Sequence, residues 1–191
     1  MKNFVISEFK NVDEYPTSSL GKSFLYRGFF QNTHLVNEVG NLIKPEIFEM
    51  ISRENRLVHQ LNLPINYQAI HIRRGDYTKN RDHYGVLSFD YYRKIISNSF
   101  ETIICTDDEL FEREISKGFP NARILGPSKS TSWETLSLLA HAKRLIMANS
   151  SLSWWAGYIV SEKSGEVIAP TPWFKSSMFP KNLLNCDKFI Q

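Results

Sequence analysis

The sequence predicts an α/β protein whose main domain is a doubly wound, Rossmann-type parallel sheet. From about residue 66 onward, short apolar and β-branched runs alternate with segments in which apolar residues recur at helical spacing. Several of these runs end directly in polar or turn-forming residues, as strands do before a helix begins. Alternating strands and helices imply right-handed crossovers, which produce parallel strands with helices on the faces of the sheet.

Residues 1–64 differ from this pattern and are predicted to be a partial N-terminal domain, ahead of a Rossmann-like domain at 65–191. Pro45 suits the first turn of a helix, because its missing N–H would have no partner there. Polar and aromatic residues at 29–34 either line a sugar site or simply pack, and both interpretations stay open. The elements predicted in this part are a strand at 4–6, a strand at 24–30 interrupted by Gly28, a helix from Pro45 to about His59, and a linker around Pro64.

The second domain is predicted to contain five strands separated by four helices. In the common strand order 3-2-1-4-5, the first and fourth strands are neighbours at the switch point where ligands bind. We therefore expect the loops that follow these two strands to form one crevice. The strands are expected at 67–72, 102–106, 122–125, 145–148 and 166–169. The helices are expected at 89–96 after a Ser88 cap, at 110–117 with Gly118 as the C-terminal cap, from Thr131 to about Ala142, and at 152–160.

The most chemically specific stretch of the chain follows the first of these strands. Arg73 and Arg74 offer planar forks of donors that match phosphate oxygens, but neighbours in an extended chain point in opposite directions. One arginine is therefore expected to reach a ligand while the other braces the loop. Gly75 permits a tight turn, Asp76 can orient an arginine or accept a proton, and His71 is either a nucleobase contact or a core histidine. The alternative is a surface arginine pair within a chance Arg-Gly-Asp tripeptide.

Three further groups of polar side chains are expected near the same crevice. After the fourth strand, an asparagine and two serines lie at a helix N-terminus, where free N–H groups and the helix dipole favour an anion; helix capping is the alternative. An acidic pair after the second strand lies where a nucleotide ribose or base often binds; starting the next helix is the alternative. A glutamate completes a capping box and has a position that permits a nucleobase contact. These candidates are Asn149, Ser150, Ser151, Asp107, Asp108 and Glu134.

Composition and charge exclude several classes of protein. The net charge of +3 argues against nucleic-acid binding, which needs a concentrated basic face. Cys105 and Cys186 lack CxxC spacing, so reduced thiols in a cytosolic chain are predicted and a zinc site is not. No D-x-D pair or His/Cys cluster occurs, so no metal cofactor is expected. Without a signal peptide or a bilayer-spanning apolar run, we expect a cytoplasmic protein with at most peripheral contact with the cytosolic face of the membrane.

In this order, the motifs resemble those of the α-1,2-fucosyltransferases, glycosyltransferase family 11. His71-Ile72-Arg73-Arg74-Gly75-Asp76-Tyr77 is similar to the family signature. The later segments follow in the family's order, and the resemblance extends over about residues 24–175. These segments are 83–92, the "SDD"-like 105–108, the "NSSFSWW"-like block within 138–155 that contains Asn149-Ser150-Ser151 and Trp154-Trp155, and the "APxxWF"-like segment at 168–174.

The resemblance implies the carboxyl part of a GT-B enzyme that transfers fucose from GDP-L-fucose with inversion and without a metal. In related fucosyltransferases the first arginine of the signature holds the donor's β-phosphate, which falls on Arg73. The signature histidine is associated with guanine, which falls on His71. A glycan acceptor is expected, with α-1,2 transfer to galactose in a surface polysaccharide. Independently of the resemblance, Asp76 is the candidate base because it lies three residues beyond Arg73 in the same loop, and bracing Arg74 is its alternative role.

This chain departs from the family pattern in one respect. The family normally begins with a glycine-rich segment that is not found here, so the resemblance begins partway through the first domain. A non-catalytic or truncated domain that binds GDP or a GDP-sugar is therefore the alternative function, and a structural or interaction protein on the same fold is a third. The sequence makes no prediction about the oligomeric state.

Overall fold

The computed structural model describes residues 4–8, 23–27, 36, 45–175 and 189–190. Strands β1 (Phe4–Glu8) and β2 (Ser23–Arg27) pair in parallel, so β2 ends just before Gly28. The candidate sugar-contacting residues at 29–34 lie outside the described residues, and the division of the chain near residue 64 stays a prediction.

The helix predicted from Pro45 to about His59 is two helices, α1 at residues 45–53 and α2 at Arg56–Gln60. Between them, the hydroxyl of Ser137 donates to the carbonyl oxygens of Ile51, at 3.4 Å, and Glu54. These carbonyls belong to the C-terminal end of α1, where a helix has no backbone donors of its own. A side chain from a distant helix therefore satisfies the end of α1, which the local sequence did not reveal.

The main sheet has five parallel strands in the order β5-β4-β3-β6-β7. Counted from the first strand of the predicted domain, this is the order 3-2-1-4-5, so the predicted doubly wound α/β sheet is confirmed. The strands are β3 (Tyr67–Ile72), β4 (Glu101–Thr106), β5 (Arg123–Leu125), β6 (Arg144–Ile146) and β7 (Glu166–Ile168). The helices between them are α3 (Phe89–Ile95), α4 (Glu112–Gly118), α5 (Ser132–His141) and α6 (Ser151–Glu162), with 3-10 turns at Asp76–Thr78 and Glu109–Phe111.

Helices cover both faces of this sheet because successive side chains of a strand point to opposite faces. In β3, Tyr67 and Ala69 belong to the core that also contains Leu138 of α5 and Trp154 of α6. Ile70 and Ile72 belong to the core on the other face, with Tyr92 of α3 and Ile115 of α4. Burying each large apolar side chain stabilises the fold by about 2 kcal/mol. Burial on both faces explains why β3 is apolar along most of its length.

Side-chain caps begin α3, α5 and α6 where the sequence predicts them. Ser88 accepts a hydrogen bond from the backbone N–H of Tyr91, and Thr131 and Glu134 form the reciprocal capping box of α5. Gly118, predicted as a cap, is instead the last residue of α4, and Phe119 follows it with a φ of −138°. Cys105 is a buried free thiol, as expected for a small core residue. Within the described residues, no helix combines the length and hydropathy that crossing a bilayer requires.

Candidate functional site

The carboxyl ends of β3, β4 and β6 bring most of the candidate residues together. Ile72 pairs with Thr106 at the end of β3 and β4, and Ile70 pairs with Ile146 on the other side of β3. The loops that leave these three strands therefore begin at the same edge of the sheet, as expected for a switch point. Direct contacts join His71 to Ser150, and the segment 73–75 to Asp107 and Asp108.

Asp107 lies beneath the turn that follows β3. Its Oδ1 accepts hydrogen bonds from the backbone N–H groups of Arg74, at 2.7 Å, and Gly75, at 3.1 Å. Its Oδ2 pairs with Nη1 of Arg73 at 2.7 Å. Asp108 stands at the N-cap position of the following 3-10 turn, but its side chain makes no capping hydrogen bond there. The acidic pair therefore organises the arginine loop, a role that neither sequence interpretation included.

Arg73 is held by two carboxylates at the rim of the crevice. Its Nη2 donates to Oδ1 of Asp76 at 2.6 Å, while Nη1 pairs with Asp107. The guanidinium lies 5.3 Å from the ring centroid of Tyr77. Its Nε is buried and has no hydrogen-bond partner, although the side chain as a whole is 31% exposed. A buried donor that has no partner within the protein is a candidate contact for a bound anion.

Arg74 points elsewhere and its guanidinium is already engaged. Its Nε donates to Oδ2 of Asp108 at 3.2 Å, and its Cζ lies 3.5 Å from the ring centroid of Phe111. This stacking and the ion pair hold the side chain against the start of the segment that leads into α4. The two arginines therefore have different partners, and which of them reaches a ligand stays a prediction.

Asp76 is the most exposed of the candidate acids, with a side chain that is 59% exposed. It begins the 3-10 turn and pairs with Arg73, and no hydrogen bond or ion pair joins it to Arg74 in the described residues. Thr78 fixes the turn, since its hydroxyl donates to the carbonyl of Gly75 at 2.8 Å. Asp76 thus lies beside Arg73 with access to solvent.

His71 is a buried histidine that faces the N-terminus of α6. Its Nδ1 lies 2.5 Å from Oγ of Ser153 and 3.4 Å from Oγ of Ser150. Burial lowers the pKa of His71 to about 4; the nearby Asp107 opposes this shift and Arg73 adds to it. Oγ of Ser153 accepts the N–H of Ala148, so its own hydrogen is available for Nδ1. When this hydroxyl donates to Nδ1, the ring hydrogen of the neutral imidazole lies on Nε2.

The segment after β6 serves both the helix and the neighbouring loop. Oγ of Ser150 caps α6 by accepting the N–H of Ser153 at 3.2 Å, and Ser151 is the half-buried first residue of the helix. Nδ2 of Asn149 donates to the carbonyls of Tyr84, at 2.7 Å, and Gly85, at 3.3 Å. Its Oδ1 is buried and has no hydrogen-bond partner. Capping is therefore observed, and a role in anion binding stays a prediction.

Glu134 lies apart from these residues. Its Oε2 accepts hydrogen bonds from the N–H and the hydroxyl of Thr131, and its Oε1 pairs with Arg56 of α2. The backbone hydrogen bond from Thr131, followed by Arg56, holds the pKa of Glu134 at about 2. Among the described residues, these are its hydrogen-bond and ion-pair partners. Its nucleobase contact stays a prediction, while its capping role is observed.

Three residues of this site make contacts that the sequence did not predict. Ser153 contacts His71, and Tyr77 donates its hydroxyl to the carbonyl of Asn149 at 2.9 Å. Tyr84 stacks on Tyr77 with ring centroids 4.7 Å apart. The serine at the third position of α6 and the aromatic residues of the loop are ordinary in sequence, so only their spatial neighbours identify them. Among the described residues, no group of three or more His, Cys, Asp or Glu side chains is placed to hold a metal ion.

Comparisons with known proteins agree with the motifs. The model of the family described as glycosyl transferase family 11 matches residues 1–183. An O-antigen biosynthesis glycosyltransferase WbnK of Escherichia coli is 27% identical over 179 residues, which cover 85% of this chain and 58% of that protein. An α-1,2-colitosyltransferase of Escherichia coli is 28% identical over 172 residues, covering 82% of this chain. The chain thus spans 58% of the length of each of these curated relatives.

Solved structures with partial similarity are fucosyltransferases. The match to the fucosyltransferase NodZ of Bradyrhizobium covers 59% of this chain and 42% of the NodZ chain, with 17% sequence identity and a TM-score of 0.41. The match to POFUT1 in complex with GDP-fucose covers 57% of this chain and 41% of the POFUT1 chain, with 12% sequence identity and a TM-score of 0.42.

Proposed function

This chain belongs to glycosyltransferase family 11, and we propose that it transfers L-fucose from GDP-L-fucose to a hydroxyl of a glycan acceptor. The proposed linkage is α-1,2 to galactose, in a surface polysaccharide assembled at the cytosolic face of the membrane. The names of the two curated relatives support polysaccharide synthesis and a deoxy sugar. Colitose is the competing sugar, because one relative is named for it.

The observation that carries this proposal is the environment of Arg73. The partly exposed side chain of Arg73, whose buried Nε has no partner, follows the carboxyl end of the central strand. It faces the ring of Tyr77, whose hydroxyl donates to the carbonyl of Asn149 just before α6. A diphosphate bound there would meet a charged fork and the positive end of a helix dipole. Both groups stabilise the negative charge that grows on GDP as the bond to the sugar breaks.

In the proposed reaction the acceptor oxygen attacks the anomeric carbon from the face opposite the diphosphate, and GDP leaves with the electrons of the broken C–O bond. Asp76 is the proposed base that takes the acceptor proton, because its exposed carboxylate lies beside Arg73. The Nε2–H of His71 is the proposed donor to the guanine. The chemistry requires no metal, since Arg73 and the helix dipole supply the positive charge.

The direct test is turnover of GDP-L-fucose with a galactose-terminated acceptor, followed by GDP release and product mass. A colitose donor is assayed in parallel. Arg73→Lys keeps the charge but loses the fork and should abolish most turnover. Arg113→Lys on the exposed surface of α4 is the matched control and should retain it.

The alternative function is a domain that binds GDP or a GDP-sugar without transferring the sugar. The environment of Arg73 supports it as well, because binding a diphosphate requires neither a base nor an acceptor. GDP binding that depends on Arg73, without turnover of either donor, would support this alternative. A chain that neither binds GDP nor turns over a donor would refute both functions.

A further inference from the structure

Both carboxylate oxygens of Asp107 bind groups of the protein itself. The two strands that precede Asp107 and Arg73 are hydrogen-bonded neighbours, so the residues after Ile72 and Thr106 necessarily meet. Oδ1 of Asp107 accepts two consecutive backbone N–H groups, from Arg74 and Gly75. Two such groups converging on one oxygen form a small anion site. Asp107 itself occupies that site, so these N–H groups are not free to bind a phosphate.

The second oxygen of Asp107 fixes the direction of Arg73. Oδ2 pairs with Nη1 at 2.7 Å, and the Asp107 side chain is only 21% exposed. On the opposite edge, Nη2 pairs with Asp76, whose side chain is 59% exposed. A partly buried charge pair with further hydrogen bonds is held more firmly than an exposed pair. Asp107 is therefore the anchor of Arg73, whereas Asp76 is the contact that a diphosphate can displace.

Gly75 supplies an independent observation of how closely this carboxylate approaches the turn. A Cβ added at Gly75 would lie 2.5 Å from Oδ2 and 3.2 Å from Cγ of Asp107. The close approach of Asp107 is therefore one reason why glycine is needed at this position. The glycine of the arginine loop and the first aspartate of the acidic pair therefore form one unit.

We propose that Asp107 is a positioning residue that sets the affinity for the donor diphosphate through Arg73 and makes no contact with the donor. This proposal rests on the proposed function in that it takes the ligand to be a diphosphate at Arg73. It differs from the ribose or base contact expected at this position. A residue that contacts the ribose would contribute to GDP affinity independently of Arg73. A positioning residue contributes to that affinity only while Arg73 is present.

A double-mutant cycle on GDP affinity, measured by calorimetry, separates the two roles. Asp107→Asn keeps the size of the side chain but loses the charge that holds Arg73, and it should weaken GDP binding by about tenfold or more. In an Arg73→Ala background, the same change should have an effect of about twofold or less. Equal effects in both backgrounds would overturn the proposal. Asp90→Asn, in an exposed ion pair with Arg93 on α3, is the matched control and should bind GDP as the wild type does.

Gly75→Ala provides a second variant that leaves the charge of Asp107 intact. The added methyl group must displace Oδ2, so this variant should also weaken GDP binding, again only when Arg73 is present. If Asp107→Asn does not fold, the GDP affinity of Gly75→Ala tests the positioning role of Asp107 in its place. Unchanged GDP affinity in a folded Gly75→Ala variant would contradict the proposed close coupling.

A measurement without GDP distinguishes failure of this proposal from failure of the proposed function. The Nε–Hε signal of Arg73 in a proton–nitrogen correlation spectrum is assigned by its loss in Arg73→Lys. It should shift or broaden in Asp107→Asn and stay in place in Asp90→Asn. If the wild type does not bind GDP, the proposed function fails, while this signal and binding of inorganic pyrophosphate still test the positioning of Arg73. An unmoved signal in Asp107→Asn would refute that positioning.

Discussion

His71 should make the free energy of unfolding depend on pH, and His71→Asn should remove that dependence. The ring is 4% exposed and contacts the hydroxyl of Ser153. Burial lowers its pKa from 6.5 to about 4, with Asp107 opposing the shift and Arg73 adding to it. Between these two pH values the unfolded chain therefore binds a proton at this histidine, while the folded protein keeps it neutral.

The sign and size follow from proton linkage. The stabilisation is fully present above pH 6.5 and is lost as the pH falls toward 4, because the unfolded chain is protonated first. Each pKa unit corresponds to about 1.4 kcal/mol, so the full shift corresponds to about 3 kcal/mol. About 2 kcal/mol of this loss falls between pH 7 and pH 5. That is a measurable part of the stability of a typical domain.

The assay is urea unfolding at pH 7 and pH 5, followed by the fluorescence of tryptophans such as the buried Trp154. Asparagine at position 71 keeps an amide near Ser153 but does not titrate. Between the two pH values the wild type should lose about 2 kcal/mol more than His71→Asn. His83→Asn, at an exposed histidine, is the control and should lose as much as the wild type.

Equal losses in the wild type and in His71→Asn would refute a histidine held neutral by burial. They would also remove the basis for assigning the ring hydrogen to Nε2. The pKa of His141 is lowered as well, chiefly by burial, but this group is present in all three proteins and cancels in the differences. If His71→Asn does not fold, His71→Gln serves the same comparison.

Three further predictions concern the ligand. Arg73→Ala should weaken GDP binding by about 2–3 kcal/mol, roughly 30- to 150-fold, and equal affinities in calorimetry would refute the phosphate assignment. Binding of GDP should survive a chelator such as EDTA, and strict dependence on added magnesium or manganese would indicate a different class of transferase. Asp76→Asn should lower turnover about a hundredfold or more with GDP affinity unchanged if Asp76 is the base, whereas weaker GDP binding as well would identify a brace.

Much of the fold was predictable because its signals are local. The apolar run Tyr67–Ile72 is β3 to the residue, and the Thr131–Glu134 capping box begins α5 as expected. Alternation of strands and helices leaves few parallel topologies, so the assumed strand order was one of a small set. The same order correctly predicted which loops would meet. The break between α1 and α2 was not predictable, since a hydroxyl on α5 completes the end of α1.

For the candidate site, the sequence by itself determined which residue types stand at the ends of which strands. Only the tertiary structure decided how their hydrogen-bonding groups are shared. Asp107 lies 32 residues from Gly75 along the chain, and Ser153 lies 82 residues from His71. An isolated strand end leaves the direction of Arg73, the partner of Asp107 and the burial of His71 undetermined. Those properties arise when neighbouring strands pack and buried polar groups must find partners within the protein.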